Sequence, residues 1–171
     1  MRLNVRKMVL GSLFAAMIAL CAWLSIPAPP IVVTMQTFAV LLTLGVLGGK
    51  WGSVSVFIYL AMGMVGLPVF AGFRGGVSAL LDVTGGFLWG FAAGCLVYRV
   101  GEKLGKFPAM VLCQLACAVC GCLWFRYWAG DLGFGAALLS CVIPYLIPDG
   151  IKLWLAWRIS SRIGRQLNRN E

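Results

Sequence analysis

The chain has no histidine and only five acidic residues, and charged side chains occupy 11% of its 171 positions. Histidine is the commonest metal ligand and the side chain that titrates nearest neutrality, so its absence removes most metal sites and the usual general base. Neither the GxxxxGK[ST] loop nor the GxGxxG fingerprint occurs, and no paired-carboxylate arrangement stands out. The sequence therefore predicts no catalytic residue, no metal and no cofactor, and it is not read as an enzyme. Charge this sparse cannot cover the surface of a soluble domain.

What is abundant is apolar surface. Hydrophobic residues make up 61% of the chain, with a mean hydropathy of +0.95. A helix needs roughly 20 apolar residues to cross a bilayer. The length then accommodates six crossings and little else, so residues 1–171 are expected to form a single transmembrane domain. The seven cysteines all lie inside apolar runs. Cys117 and Cys120 have CxxC spacing, but zinc or redox chemistry needs thiolates among polar neighbours, and these are read as small packing residues.

The net charge of +9 invites a nucleic-acid reading, which its placement opposes. Arg2, Arg6 and Lys7 precede the first apolar run; Arg99, Lys103 and Lys106 flank an interior turn; Arg158, Arg162, Arg165 and Arg169 lie near the end. These are boundary charges of the positive-inside kind, with no basic stripe interleaved with aromatics. The apolar run Met8 to Leu24 is too long for a signal peptide and is read as a retained first span.

Six spans are expected: Met8–Ser25, closed by the proline-rich segment Pro27–Thr34; Met35–Leu47, stopping at Gly48-Gly49-Lys50; Trp51–Val65; Thr84–Val100; Phe107–Tyr127; and Pro148–Ile163. A short outer-surface helix over Leu132–Ile143 precedes the last, the rival being one long helix kinked at Pro144 and Pro148. Residues 66–82 form a glycine-rich connection. An even number of crossings puts both termini on one side, and the basic ends make that side cytoplasmic. Lys50, Arg99, Lys103 and Lys106 then fall inside, while Arg74, Asp82, Arg126 and Asp131 fall outside and cancel. The expected location is the inner (cytoplasmic) membrane, as a multi-pass protein in the lipid bilayer.

Ionisable residues inside a membrane are costly and by default mark function. Asp149 and Lys152, in Ile147-Pro-Asp-Gly-Ile-Lys152, share a helix face at i, i+3, with Asp149 in the first turn where the helix dipole favours a carboxylate. They are read as a solute site near the outer face; the plainer alternative is an ion pair that only pins the helix. Thr34-Met-Gln36-Thr-Phe38 opens the second span, with Gln36 able to donate and accept and Thr34 able to cap the helix. Gly66-Leu-Pro-Val-Phe-Ala-Gly-Phe-Arg-Gly-Gly76, followed by Thr84-Gly-Gly86, suits a loop folded over a ligand, with Phe70, Phe73, Arg74 and Thr84 as candidates and Tyr145 beside the final helix. Gly11, Ala15 and Ala19 form a smooth stripe at i, i+4, i+8, open either to another protein or to packing within the chain.

Four segments in order resemble the BioY family, the biotin-specific S components of energy-coupling-factor (ECF) transporters: PPIVVTMQTFAV (29–40), GLPVFAGFRGG (66–76), TGGFLWGF (84–91) and IPDGIKLWLA (147–156). The resemblance implies an all-α, six-helix S-component fold with biotin bound near the outer surface. It also implies a transmembrane coupling protein and two ATPase subunits that hydrolyse ATP on the chain's behalf. By the same likeness Asp149, Lys152 and Gln36 belong to the pocket, and the stripe from Ala15 to Ala19 matches an AxxxA contact with the coupling protein. The family commonly reads GPTGGY where this chain has Asp82-Val-Thr-Gly-Gly-Phe87. Three rivals stay open: an S component for another vitamin such as thiamine or riboflavin, a facilitator acting alone as a homodimer, and a non-transport scaffold.

Overall fold

The computed structural model describes residues 5–26, 33–129, 135 and 143–169. Helix α1 spans Val5–Trp23. A two-residue antiparallel pair follows, β1 (Ser25–Ile26) against β2 (Val33–Thr34). Helix α2 is Gln36–Met64, α3 Val77–Leu81, α4 Gly85–Gly101, α5 Lys106–Ala129 and α6 Leu146–Arg169. The expected surface helix over Leu132–Ile143 falls almost wholly outside the described residues. The 3-10 turn Ile143–Tyr145 leads directly into α6.

Helix α2 is two limbs, as the glycine signal at its middle predicts. Gly48 has φ 76° and ψ 170°, a conformation open essentially to glycine. Residues 36–47 and 49–64 fold back on each other there, and a Cβ on Gly52 would lie 2.8 Å from the Cα of Leu44. The fold-back is clearest at the far ends, where Gln36 and Tyr59 are hydrogen-bonded. In one straight helix those residues would stand about 35 Å apart at 1.5 Å per residue. The amide of Gly49, at the start of the second limb, donates to both carboxylate oxygens of Glu102 at 3.2 and 3.1 Å, which satisfies an otherwise orphaned N–H.

Among the described residues three helices are apolar enough, by length and composition, to cross a membrane: Val5–Trp23, Gln36–Met64 and Lys106–Trp128. The limbs of α2 lie at the centre, with α1, α4 and α6 packed around them. The core draws Ile18 from α1, Leu41, Leu44, Val56 and Tyr59 from α2, Tyr98 from α4 and Met110 from α5, all fully buried. Helices α4 and α5 pack closely, with Cys113 and Cys117 against Gly94 and Gly90. These thiols fill space, as small apolar residues do.

One end of the bundle gathers the Gly48 turn, the 3-10 turn Glu102–Leu104 and the start of α5. Gly49 abuts Arg99, and Gly164 of α6 approaches the Lys106 ammonium. The other end carries the glycine-rich connection. This connection is more ordered than a plain loop, holding a 3-10 turn at Ala71–Phe73 and the short helix α3.

Candidate functional site

The polar residues singled out in the sequence converge under the connection end, around a cavity of about 250 Å³. This is close to the lower end of small-molecule pockets, roughly 300–1,000 Å³. The start of α2 supplies Thr34, Gln36 and Thr37; the connection supplies Phe70 and Arg74; Thr84 stands before α4. Tyr145, Asp149 and Lys152 come from the α6 side. Phe87, Leu88 and Phe91 of α4, with Leu115 and Ala118 of α5, make the apolar wall.

Asp149 sits in the first turn of α6. Lys152 is 7% exposed and its ammonium donates to Asp149 Oδ1 at 2.9 Å. The other carboxylate oxygen, Oδ2, accepts from Gln114 Nε2, also at 2.9 Å. The charge is thus neutralised and hydrogen-bonded within the bundle, the condition under which buried charges persist. Each carboxylate oxygen keeps a further lone-pair direction, and the ammonium keeps two further protons.

Gln36 is 4% exposed and donates to the Tyr59 hydroxyl at 2.8 Å; that hydroxyl donates to the carbonyl of Val69 at 3.2 Å. The Phe70 ring meets Tyr59 edge-on at 5.6 Å and packs into the space left by Gly63, where a Cβ would collide with the ring. The backbone of the connection is therefore tied to α2 from below. Thr34 Oγ1 accepts from the backbone N–H of Gln36 at 3.3 Å, although the residue directly before the helix is Met35.

Arg74 is ion-paired with Asp82 and donates to Thr84 Oγ1 at 3.2 Å. The pairing joins the connection to the approach of α4. Phe87 lines the cavity.

Phe73 and the small-residue stripe of α1 stand apart from the cavity. Phe73 does not line the cavity. It is 63% exposed with φ 58°, and it stacks on Trp23 at 4.9 Å between centroids. The intervening Gly72, at φ 70°, turns the chain so that Phe70 points in and Phe73 out. Gly11, Ala15 and Ala19 are buried inside the chain itself, with Gly11 against Ser55 of α2. The stripe is packed within the chain, one of the two readings its spacing left open.

Two contributors, Gln114 and Tyr59, were missed. Gln114 is a lone amide within an apolar run, and a polar side chain at membrane depth is itself a signal. Tyr59 reads as an ordinary core aromatic until its hydroxyl's partners are seen.

A model of the BioY family matches residues 1–169. A relative from Thermotoga maritima, called a biotin transporter BioY, is 44% identical over 164 residues, covering 93% of this chain and 96% of that protein. One from Pyrococcus horikoshii, called a probable biotin transporter BioY, is 32% identical over 161 residues, covering 94% and 98%. The fold is similar to the crystal structure of the S-component for biotin from an ECF-type ABC transporter. The TM-score is 0.86 with 22% identity, covering 95% of this chain and 92% of that one.

Proposed function

We propose that this chain, which belongs to the BioY family, is the biotin-binding membrane subunit of an uptake system energised by partner ATPases. The observation that carries the reading is the cavity: apolar on its α4 and α5 walls, with Asp149, Lys152, Gln114 and Gln36 held in place around it.

Biotin joins a ureido ring, an apolar bicycle and chain, and a carboxylate. Asp149 accepts from a ureido N–H, its geometry fixed by Lys152 and Gln114. Lys152 neutralises Asp149 and keeps protons free for an acceptor on the ligand. Phe87, Leu88 and Phe91 enclose the bicycle. Arg74 and Thr84 lie on the connection side, and Phe70 closes the cavity there.

The limbs of α2 count as two crossings, and with α1, α4, α5 and α6 they make six. The end carrying Arg99, Lys103 and Lys106 then faces the cytoplasm, with both termini, and the cavity faces outward across the inner membrane. The sequence carries no ATP-binding loop, so accumulation against a gradient draws on a transmembrane coupling protein and two ATPase subunits.

Calorimetry of the purified chain against biotin, thiamine and riboflavin tests this. Biotin alone should bind, and at 100 times its dissociation constant it should stabilise the fold by about 2.7 kcal/mol. Preference for another vitamin moves the assignment within the S components. No heat with any of them leaves the scaffold reading standing.

A further inference from the structure

The hydrogen bonds around Tyr59 determine which end of Gln36 the ligand meets. Tyr59 is fully buried, with its hydroxyl 2.8 Å from the Gln36 amide nitrogen and 3.2 Å from the carbonyl oxygen of Val69. A phenol has one proton to give, and a carbonyl can only accept. Val69 is buried too, so a phenol turned the other way would leave that carbonyl without a donor, the costlier arrangement. With its proton on Val69, the Tyr59 oxygen can only accept, and Gln36 must turn its amide nitrogen toward it. The amide is planar and two-ended, so its carbonyl oxygen is left for the cavity that Gln36 lines. Among the described residues no donor reaches that oxygen, yet it is not sealed off. Thr37 Oγ1 is the buried side-chain oxygen there without a partner.

We propose that Tyr59 is a positioning residue that fixes Gln36 as a hydrogen-bond acceptor, so that the ligand group lodged against Gln36 is an N–H donor. Ionised Asp149 is likewise acceptor-only. Two acceptors on one cavity suit a ligand with two N–H groups, and a cyclic urea has two. The identity of the donor rests on the biotin reading: Asp149 takes one ureido N–H and Gln36 the other. A ligand presenting an oxygen acceptor at that place is repelled, which makes Tyr59 a determinant of specificity without touching the ligand.

The test is a double-mutant cycle on biotin binding by the purified chain, with melting curves for every variant. Tyr59→Phe and Gln36→Leu should each weaken binding about five- to tenfold, the scale of one neutral hydrogen bond. Together they should be no weaker than Gln36→Leu alone, because Tyr59 acts through Gln36. Multiplying effects, or an unchanged Tyr59→Phe, overturn the positioning role. Biotin methylated on one or the other ureido nitrogen supplies an independent readout. The wild type should discriminate against both analogues, and Gln36→Leu should lose discrimination against one of them only. Should Tyr59→Phe not fold, this pair of analogues decides, and unaltered discrimination in Gln36→Leu overturns the acceptor assignment. A wild-type chain that does not bind biotin overturns the biotin reading and the ureido assignment with it. Binding with independent variants overturns Tyr59's part alone.

Discussion

Gln114 and Asp149 meet at 2.9 Å across the seam between α5 and α6. The bond ties the carboxylate at the mouth of the final helix to a helix that otherwise offers the cavity only apolar and thiol surface. With Lys152 on the other oxygen, it fixes the carboxylate plane before any solute arrives. A site arranged in advance loses less ordering entropy on binding.

Asp149→Asn should weaken biotin binding on the order of tenfold or more, since a hydrogen bond to a charged group contributes about 1.5–3 kcal/mol. Equilibrium binding of radiolabelled biotin to the purified variant measures this. Wild-type affinity would remove Asp149 from the site.

Gln114→Leu keeps the volume of the seam while withdrawing one of the donors to Asp149. Removing it should cost about 1.5–3 kcal/mol of stability in the unliganded chain, for the same reason. It should also weaken biotin several-fold, read as a lower melting temperature and a weaker calorimetric affinity in one sample. A variant that melts and binds like the wild type would show that the seam does not need this bridge.

The two phenylalanines of the connection should behave in opposite ways. Phe70 is 2% exposed against Tyr59 and Gly63, and Phe70→Ala should cost about 3–5 kcal/mol. Phe73→Ala, outside the cavity, should leave biotin affinity within about twofold, a change under 0.5 kcal/mol. Parallel melting and binding curves decide, and a large loss of affinity in Phe73→Ala would return that ring to the site.

Gly48→Ala tests the reversal in α2. Any side chain at φ 76° and ψ 170° is strained by about 1–3 kcal/mol. Thermal unfolding of the purified chain should show that loss, and an unchanged melting curve would mean that the turn adopts another backbone conformation.

The small-residue stripe of α1 can be tested in the isolated chain, with no partner present. Ala15 is 1% exposed whereas its neighbour Ala16 is exposed. Ala15→Leu should destabilise by about 1–3 kcal/mol through overpacking, while Ala16→Leu should leave the melting temperature unchanged. Equal behaviour of the two would contradict the burial.

The parts of this molecule that were legible in its sequence are those where composition breaks sharply. A carboxylate and an ammonium three positions apart in an apolar run are conspicuous, so Asp149 and Lys152 stood out. Gly48-Gly49-Lys50 announced the reversal in α2, and the boundaries of the apolar runs fall near the observed helix ends. Spacing could not say what covers a face. Gly11, Ala15 and Ala19 lie in line whether α2 or another protein sits on them, and only the packing identifies α2. Nor could it separate Phe70 from Phe73, because the sign of φ at Gly72 and Phe73 determines which ring turns inward. Tyr59 was hidden for another reason: its role lies in one hydroxyl proton shared across distant positions, which no periodicity records.

The indole N–H of Trp23 donates to the carbonyl of Pro68 at 2.9 Å, and the Trp23 ring lies against Phe73. The last turn of α1 is thereby fastened to the connection beside the cavity, so that one indole ring holds the end of the first helix and residues 68–73 in a single relative position.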